Sequence, residues 1–188
     1  MSDKDFRPNR RPAGTPAGGQ FAPTDRPDAE HVELVDDDVF VSPGGGAVPT
    51  GDVLTRHRNP DGSAGGFVAE TAVVDETAWV AYGARVLDDA HVLDSGRVLD
   101  HAVVRGHAIV CDHAIVCDRA EVSGYAEVSG YAMVCDDSVV DELSVVTGSA
   151  TVFDRAQLRG VVRVGGEAVV SGRTVLDGER VLAGCEVA

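Results

Sequence analysis

The sequence is short of the features that most often announce a chemistry or a compartment. Lysine occurs once, at Lys4, and aromatic residues make up only 5% of the 188 residues. Asp and Glu outnumber Lys and Arg by 31 to 16, a formal net charge of −15 that disfavours nucleic acid and anionic membrane as partners. No run approaches the ~18 apolar residues of a spanning helix. The N-terminal "MSDKDFRPNRRP" lacks the apolar core of a signal peptide, so a cytoplasmic protein is expected. The four cysteines, Cys111, Cys117, Cys135 and Cys185, form no CxxC pair and no zinc-ligand spacing. Without a secretory signal they are expected to be free thiols rather than disulfides.

The chain divides into three segments. Residues 1–30 are rich in Pro, Gly, Arg and Thr without apolar periodicity, the composition of a disordered tail. Residues 31–67 alternate weakly in "HVELVDDDVFVS", then turn at "SPGGG" and at Asn59-Pro60-Asp61-Gly62, between Val53–Arg58 and Phe67–Glu70. Short strands or a hairpin are expected there, either closing the first end of the downstream repeat or folding back over one of its faces. Residues 68–188 then repeat with a period of six. An aliphatic residue recurs at Val68, Val74, Val80, Val86 and so on to Leu182, twenty positions without a slip. Two residues before nearly all of them stands a small one, such as Ala78, Ala84 or Ala90, and two residues after most stands Gly or Asp, such as Asp88, Gly106 or Gly124. The small position decays at Val162, Arg180 and Glu186, which predicts an irregular last coil.

A helix would repeat near about 3.6 residues and a hairpin sheet would show turns of varied length. Six residues suit a short strand plus a corner, and three such units make a triangular coil of eighteen. The Val or Leu then points inward, Ala tucks beside the corner, and Gly or Asp supplies a turn with positive φ. Coils stack by parallel hydrogen bonding at ~4.8 Å, and neighbour-to-neighbour stacking supplies the stability. An all-β solenoid of about six to seven triangular coils is predicted on that spacing.

The pattern resembles the hexapeptide-repeat left-handed β-helix. More narrowly, "GSAGGFVAETAVVDETAWVAYGARV" and the A-x-V-x-G-x-A-x-V runs after it, over residues 53–182, resemble the YdcK-type β-solenoid proteins of bacteria and prophages. That resemblance implies a single-stranded left-handed parallel β-helix with a structural or polymer-forming role. "RPAGTPAGGQFAP" (Arg11–Pro23) resembles a tail motif on actinobacterial and phage proteins, which implies a phage association.

Hexapeptide acyltransferases, which the repeat also resembles, carry a catalytic His on a loop that interrupts the coils. Such a loop would slip the phase, and none does so between Val68 and Leu182. A zinc site of the γ-carbonic anhydrase kind would draw on His91, His101, His107 and His113. The last three share one hexad position, six apart, so they fall at different corners and cannot share a metal within a chain. Asp100, Asp118, Asp136 and Asp154 are eighteen apart and form a ladder that could hold Ca²⁺. His101, Arg119, Asp137, Arg155 and Arg173 form the next column, whose basic members neutralise much of that ladder, and a tight turn favours Asp without a cation. Ice binding would need Thr columns, which Thr147 and Thr151 do not make. No catalytic residue, cofactor or metal ligand is assigned.

Steps of eighteen sort the outward residues onto three faces. The most apolar carries Trp79, Leu99, Ile115, Cys117, Met133, Cys135, Phe153 and Val169, with the cysteines on adjacent rungs as small apolar fillers. Such a stripe exceeds the few hundred Å² that soluble monomers tolerate, so a partner is expected to cover it. A self-associating copy is the economical choice. The closing "VLAGCEVA" offers no cap, which makes the C-terminal end a second expected contact, opposed by the repulsion of like charges. The sequence therefore predicts a non-enzymatic, self-associating scaffold or interaction rod. The alternatives are a module that holds a different protein on its apolar face, and a hexapeptide-type acyltransferase.

Overall fold

Proline cannot donate to a β ladder, and all eight prolines lie at or before Pro60, which leaves every later residue free to donate a backbone N–H. The computed structural model describes residues 39–41, 53–184 and 186–187. The tail read at residues 1–30 and Cys185 lie outside these. The described residues form 23 β strands and no helix, so none is long and apolar enough to cross a membrane.

The strands build a parallel β-solenoid. Strands β1 (Val39–Val41), β2 (Val53–Arg58) and β3 (Ala64–Ala69) come first, and from β4 (Val73–Val74) to β18 (Gln157–Leu158) a two-residue strand recurs every six residues. Each strand pairs with the one eighteen residues on: Ile109 lies beside His91 and Glu127, and Ile115 beside Arg97 and Met133. Three sheets result, which we call A, B and C. Sheet A has nine strands, sheets B and C seven each. The chain visits C, A and B in turn, so a full coil takes three strands and three corners.

Inside the coils the aliphatic column is dry. Val80, Val86, Val92, Val98, Val104 and their successors through Val170 are fully buried, and Leu176 nearly so. Each such valine contributes about 1.5–3 kcal/mol relative to exposure. The small column is equally buried, from Ala78 to Ala168. Where Gly96 replaces alanine, even a methyl would stand 2.9 Å from the Val110 carbonyl oxygen. Ser138 and Ser144 fit there because their hydroxyls donate to the carbonyls of Cys135 (2.6 Å) and Gly160 (3.4 Å).

The corners explain the Gly/Asp column. Asp88, Asp94, Asp100, Asp112, Asp118, Asp136 and Asp154 all adopt φ of 53–62°, and glycines take most of the equivalent corners. Asp is chosen for a second reason as well. Its carboxylate accepts the N–H of the corner residue one coil on: Gly106 to Asp88 (2.9 Å), Gly130 to Asp112 (2.9 Å), Asp154 to Asp136 (3.1 Å) and Gly172 to Asp154 (3.0 Å). The Asp100–Asp154 ladder is thus a chain of turn residues, each holding the next rung.

The first coil is finished by side chains and a hairpin. Strand β2 pairs antiparallel with β3, and β3 pairs parallel with Arg85–Val86 of sheet A. The Asn59-Pro60-Asp61-Gly62 turn joins them and does more than reverse the chain. Asn59 is buried, and its Oδ1 accepts the Val80 N–H at 3.0 Å, a donor on the first strand of sheet C. Thr71 and Thr77 hydroxyls donate to the carbonyls of Asp88 and Asp94, where later coils use a backbone N–H. Leu54, Ala69 and Leu87 make a small second cluster under the hairpin. The described strands of residues 39–58 therefore join sheet A and do not lie along sheet C.

Among the described residues, Glu142 is the one corner residue with positive φ (61°) that is neither Gly nor Asp. Glu142→Gly is expected to raise stability by about 0.5–1 kcal/mol, the left-handed penalty of an L-residue less the added chain entropy of glycine. A higher urea midpoint at unchanged slope is the expected reading, and a lower one would show that Glu142 is not strained.

Candidate functional site: the sheet C face

Sheet C presents two outward columns. On the strands themselves Trp79, Arg97, Ile115, Met133, Thr151 and Val169 stand in register, one per rung. Beside them run Ala81, Leu99, Cys117, Cys135, Phe153 and Ser171, and the N–H groups of the first five donate to the next rung, as Leu99 does to Val116 and Phe153 to Val170. The eight residues singled out from the sequence fall on this one face. Met133 is 39% exposed, Cys135 is nearly buried, and the other six are half-buried. From Trp79 to Ser171, Arg97 is the one charged residue in the two columns.

The cysteines depart from expectation. Cys117 and Cys135 form a disulfide, with Cα atoms 4.7 Å apart, and are neither free thiols nor merely apolar fillers. The cause is the eighteen-residue coil. It sets equivalent residues one rung apart, within the ~4.4–6.8 Å that a disulfide spans. The spacing of 117 and 135 was the signal in the sequence, and the expectation of a reducing compartment masked it. Cys111 is free, because its rung neighbours are Leu93 and Ser129. Burial, then the charges of Asp112, Glu127 and Asp94, push its thiol up to about 11.

The other chemistry-bearing residues are dispersed. His101, His107 and His113 are exposed at three different corners, and His91 lies on a strand of sheet B. His107 stacks on Tyr125 with ring centroids 4.8 Å apart, and His113 on Tyr131 at 5.0 Å. His57, on hairpin strand β2, has a buried Nε2 without a hydrogen-bond partner. Burial lowers its pKa, opposed by the Ala78 backbone. Along the corner between sheets C and A, Arg119 grips Asp137 with two nitrogens (2.8 and 3.1 Å), and Arg155 approaches the same carboxylate at 3.9 Å. Two shallow open grooves line this corner, one along Asp100, Asp118 and Asp136, the other along Asp136, Asp154 and Arg173.

One surface was missed in the sequence. Along the corner between sheets A and B, Tyr125, Leu143 and Val161, the last at the start of the sheet B strand Val161–Gly165, succeed one another on consecutive rungs and are 64%, 55% and 41% exposed. Sorting residues by face passes over this column, because a corner residue belongs to no face. Its eighteen-residue spacing is visible all the same. No family model, curated protein or solved structure matches the chain.

Two outcomes are expected of the thiols. Replacing both Cys117 and Cys135 with Ser should cost about 3 kcal/mol, the chain-entropy value for an eighteen-residue loop. Reductant should lower the urea midpoint of the wild-type protein and leave that of the double variant unchanged. Cys111 in the folded, unreduced protein should react with iodoacetamide at pH 8 about two orders of magnitude more slowly than an ordinary thiol. Mass spectrometry of the alkylated peptide reads this rate, which should climb with pH toward 11.

Proposed function

We propose that the chain is a non-enzymatic, cytoplasmic β-solenoid of the YdcK-like structural kind, a rigid rod that associates with copies of itself through the sheet C face. The observation that carries this reading is the alignment of Trp79, Ile115, Met133 and Val169 with Leu99 and Phe153 in two adjacent columns of one parallel sheet. A regular sheet presents these side chains at a fixed rung spacing, so a second copy meets a repeating surface rather than a single pocket. The uninterrupted coils support a structural role, since every corner is spent on turning the chain and none opens into a loop.

The exposed ridge of Tyr125, Leu143 and Val161 favours a second reading, in which the rod holds a different protein along the corner between sheets A and B. Solution mass separates the two. Light scattering over a range of concentrations should give a multiple of the 19.6 kDa chain, and Trp79→Glu with Phe153→Glu should return it to a single chain. An oligomer unmoved by the double variant would overturn the choice of face. A wild-type monomer at all concentrations would overturn self-association and favour the ridge.

A further inference from the structure

Among the described residues, one group of three side chains can converge on a metal ion: Cys117, Asp118 and Cys135, whose ligand atoms all lie within 4.8 Å of one another. We propose that the Cys117–Cys135 pair is a redox-gated metal site, closed as a disulfide and, when reduced, binding a thiophilic divalent cation of the zinc class with Asp118 as third ligand.

The geometry suits both states. Two thiolates on one tetrahedral zinc stand about 3.8 Å apart, given Zn–S bonds of ~2.3 Å. In the disulfide form the Cα atoms are 4.7 Å apart, close enough that side-chain rotation on the same two rungs would bring the sulfurs to the wider separation. Asp118 directly succeeds Cys117 and turns the corner at φ 58°, which brings its carboxylate beside both sulfurs. Its Oδ2 accepts the Asp136 N–H at 3.3 Å, a bond that fixes the side chain and leaves Oδ1 for a cation. That bond plays the part of the outer-shell contact that orients a ligand in other metal sites. Asp118 is exposed, so the site opens at the corner of the prism and keeps a position for water.

The donor set selects the ion. Two sulfurs and one carboxylate suit zinc or a softer metal and offer little to Ca²⁺ or Mg²⁺, which want oxygen alone. Arg119, the neighbouring cation in this groove, is engaged by Asp137, which leaves the carboxylates of Asp100 and Asp136, stacked on either side of Asp118, to add negative potential that favours a cation. Cys111 cannot substitute, because no second thiol occupies a rung beside it and its own is held protonated.

The exchange balances with a cellular thiol as reductant. Two R–SH reduce the disulfide through a mixed disulfide, leaving R–S–S–R and two protein thiols. Binding M²⁺ then displaces both thiol protons to solvent. In a reducing compartment the metal-bound form is available, and under oxidation the same two sulfurs lock neighbouring coils together.

The test uses the full chain carrying Cys111→Ser and Cys185→Ser, so that one pair of cysteines remains. Reduced with a phosphine, desalted without oxygen and titrated with Co²⁺, it should develop a thiolate-to-cobalt charge-transfer band that saturates at one ion per chain. Zn²⁺ should bleach that band. Asp118→Asn keeps the turn and the bond to Asp136, and should weaken Co²⁺ binding by at least about tenfold, the lower bound for losing even an outer-shell partner. The oxidised chain has the same fold and should take up no Co²⁺. Failure of the reduced chain to form the band would overturn the proposal. So would a band in the oxidised chain, or one that survives Cys117→Ser with Cys135→Ser. The self-association reading is tested by mass and this one by metal uptake, so each can fail alone.

Discussion

The hydrogen bond that each outward backbone N–H makes to the next coil is the interaction on which everything else rests. In sheet after sheet the N–H of one residue reaches the carbonyl seventeen positions on, His91 to Ala108, Arg97 to Ala114, Val103 to Ala120, at 2.9–3.0 Å. That bond holds a coil to its neighbour, and it dictates the side chains too. From Asp88 to Gly184 each corner turns through a residue with positive φ that presents the next donor in line, and it is Asp or Gly at all of them but Glu142. The space behind the turn is small, and it is filled almost throughout by a methyl or hydroxymethyl, Ala or Ser, with Val162 the larger side chain buried there. The corner aspartates extend the same logic to the side chain, since their carboxylates carry the ladder around the bend.

Much of this was legible because it is periodic. The inward valines, the small column and the turning column each derive from a period of six, and the structure places all three where that period puts them. The period also dispersed the histidines correctly, since six residues is one corner and never a return to the same one. What escaped was contact between rungs. The disulfide of Cys117 with Cys135 and the stacks of His107 on Tyr125 and His113 on Tyr131 join residues eighteen apart, and each depends on a distance that composition does not express. Asn59 escaped for another reason. Its local role as the first residue of a turn accounts for it fully, so nothing in the sequence shows that its amide also satisfies a donor twenty-one residues away.

The ends and the middle of the solenoid obey different rules. In the middle every rung is satisfied by its neighbours, and identity of sequence is no handicap, as the two copies of "HAIVCD" demonstrate. At the first coil the missing neighbour is replaced piece by piece: a hairpin for sheet A, the Asn59 amide for sheet C, and threonine hydroxyls at two corners. An unsatisfied buried N–H costs about 1–3 kcal/mol, so these few polar side chains matter more than their number suggests. They are also the least repetitive part of the described chain.

The strict coil has a consequence for how such a chain can change length. Adding or removing eighteen residues anywhere in the middle lengthens or shortens the stack and leaves every downstream side chain on its own sheet. Six residues are a different operation. The core still fills, the corners still turn, and the backbone still pairs, yet every later residue is carried one sheet around. Met133, Thr151 and Val169 would leave the file headed by Trp79 and stand behind Val73 or Phe67 instead. A single duplicated hexad would thus preserve the fold and rewrite the surface, which makes the hexad the unit of folding and the coil the unit of inheritance.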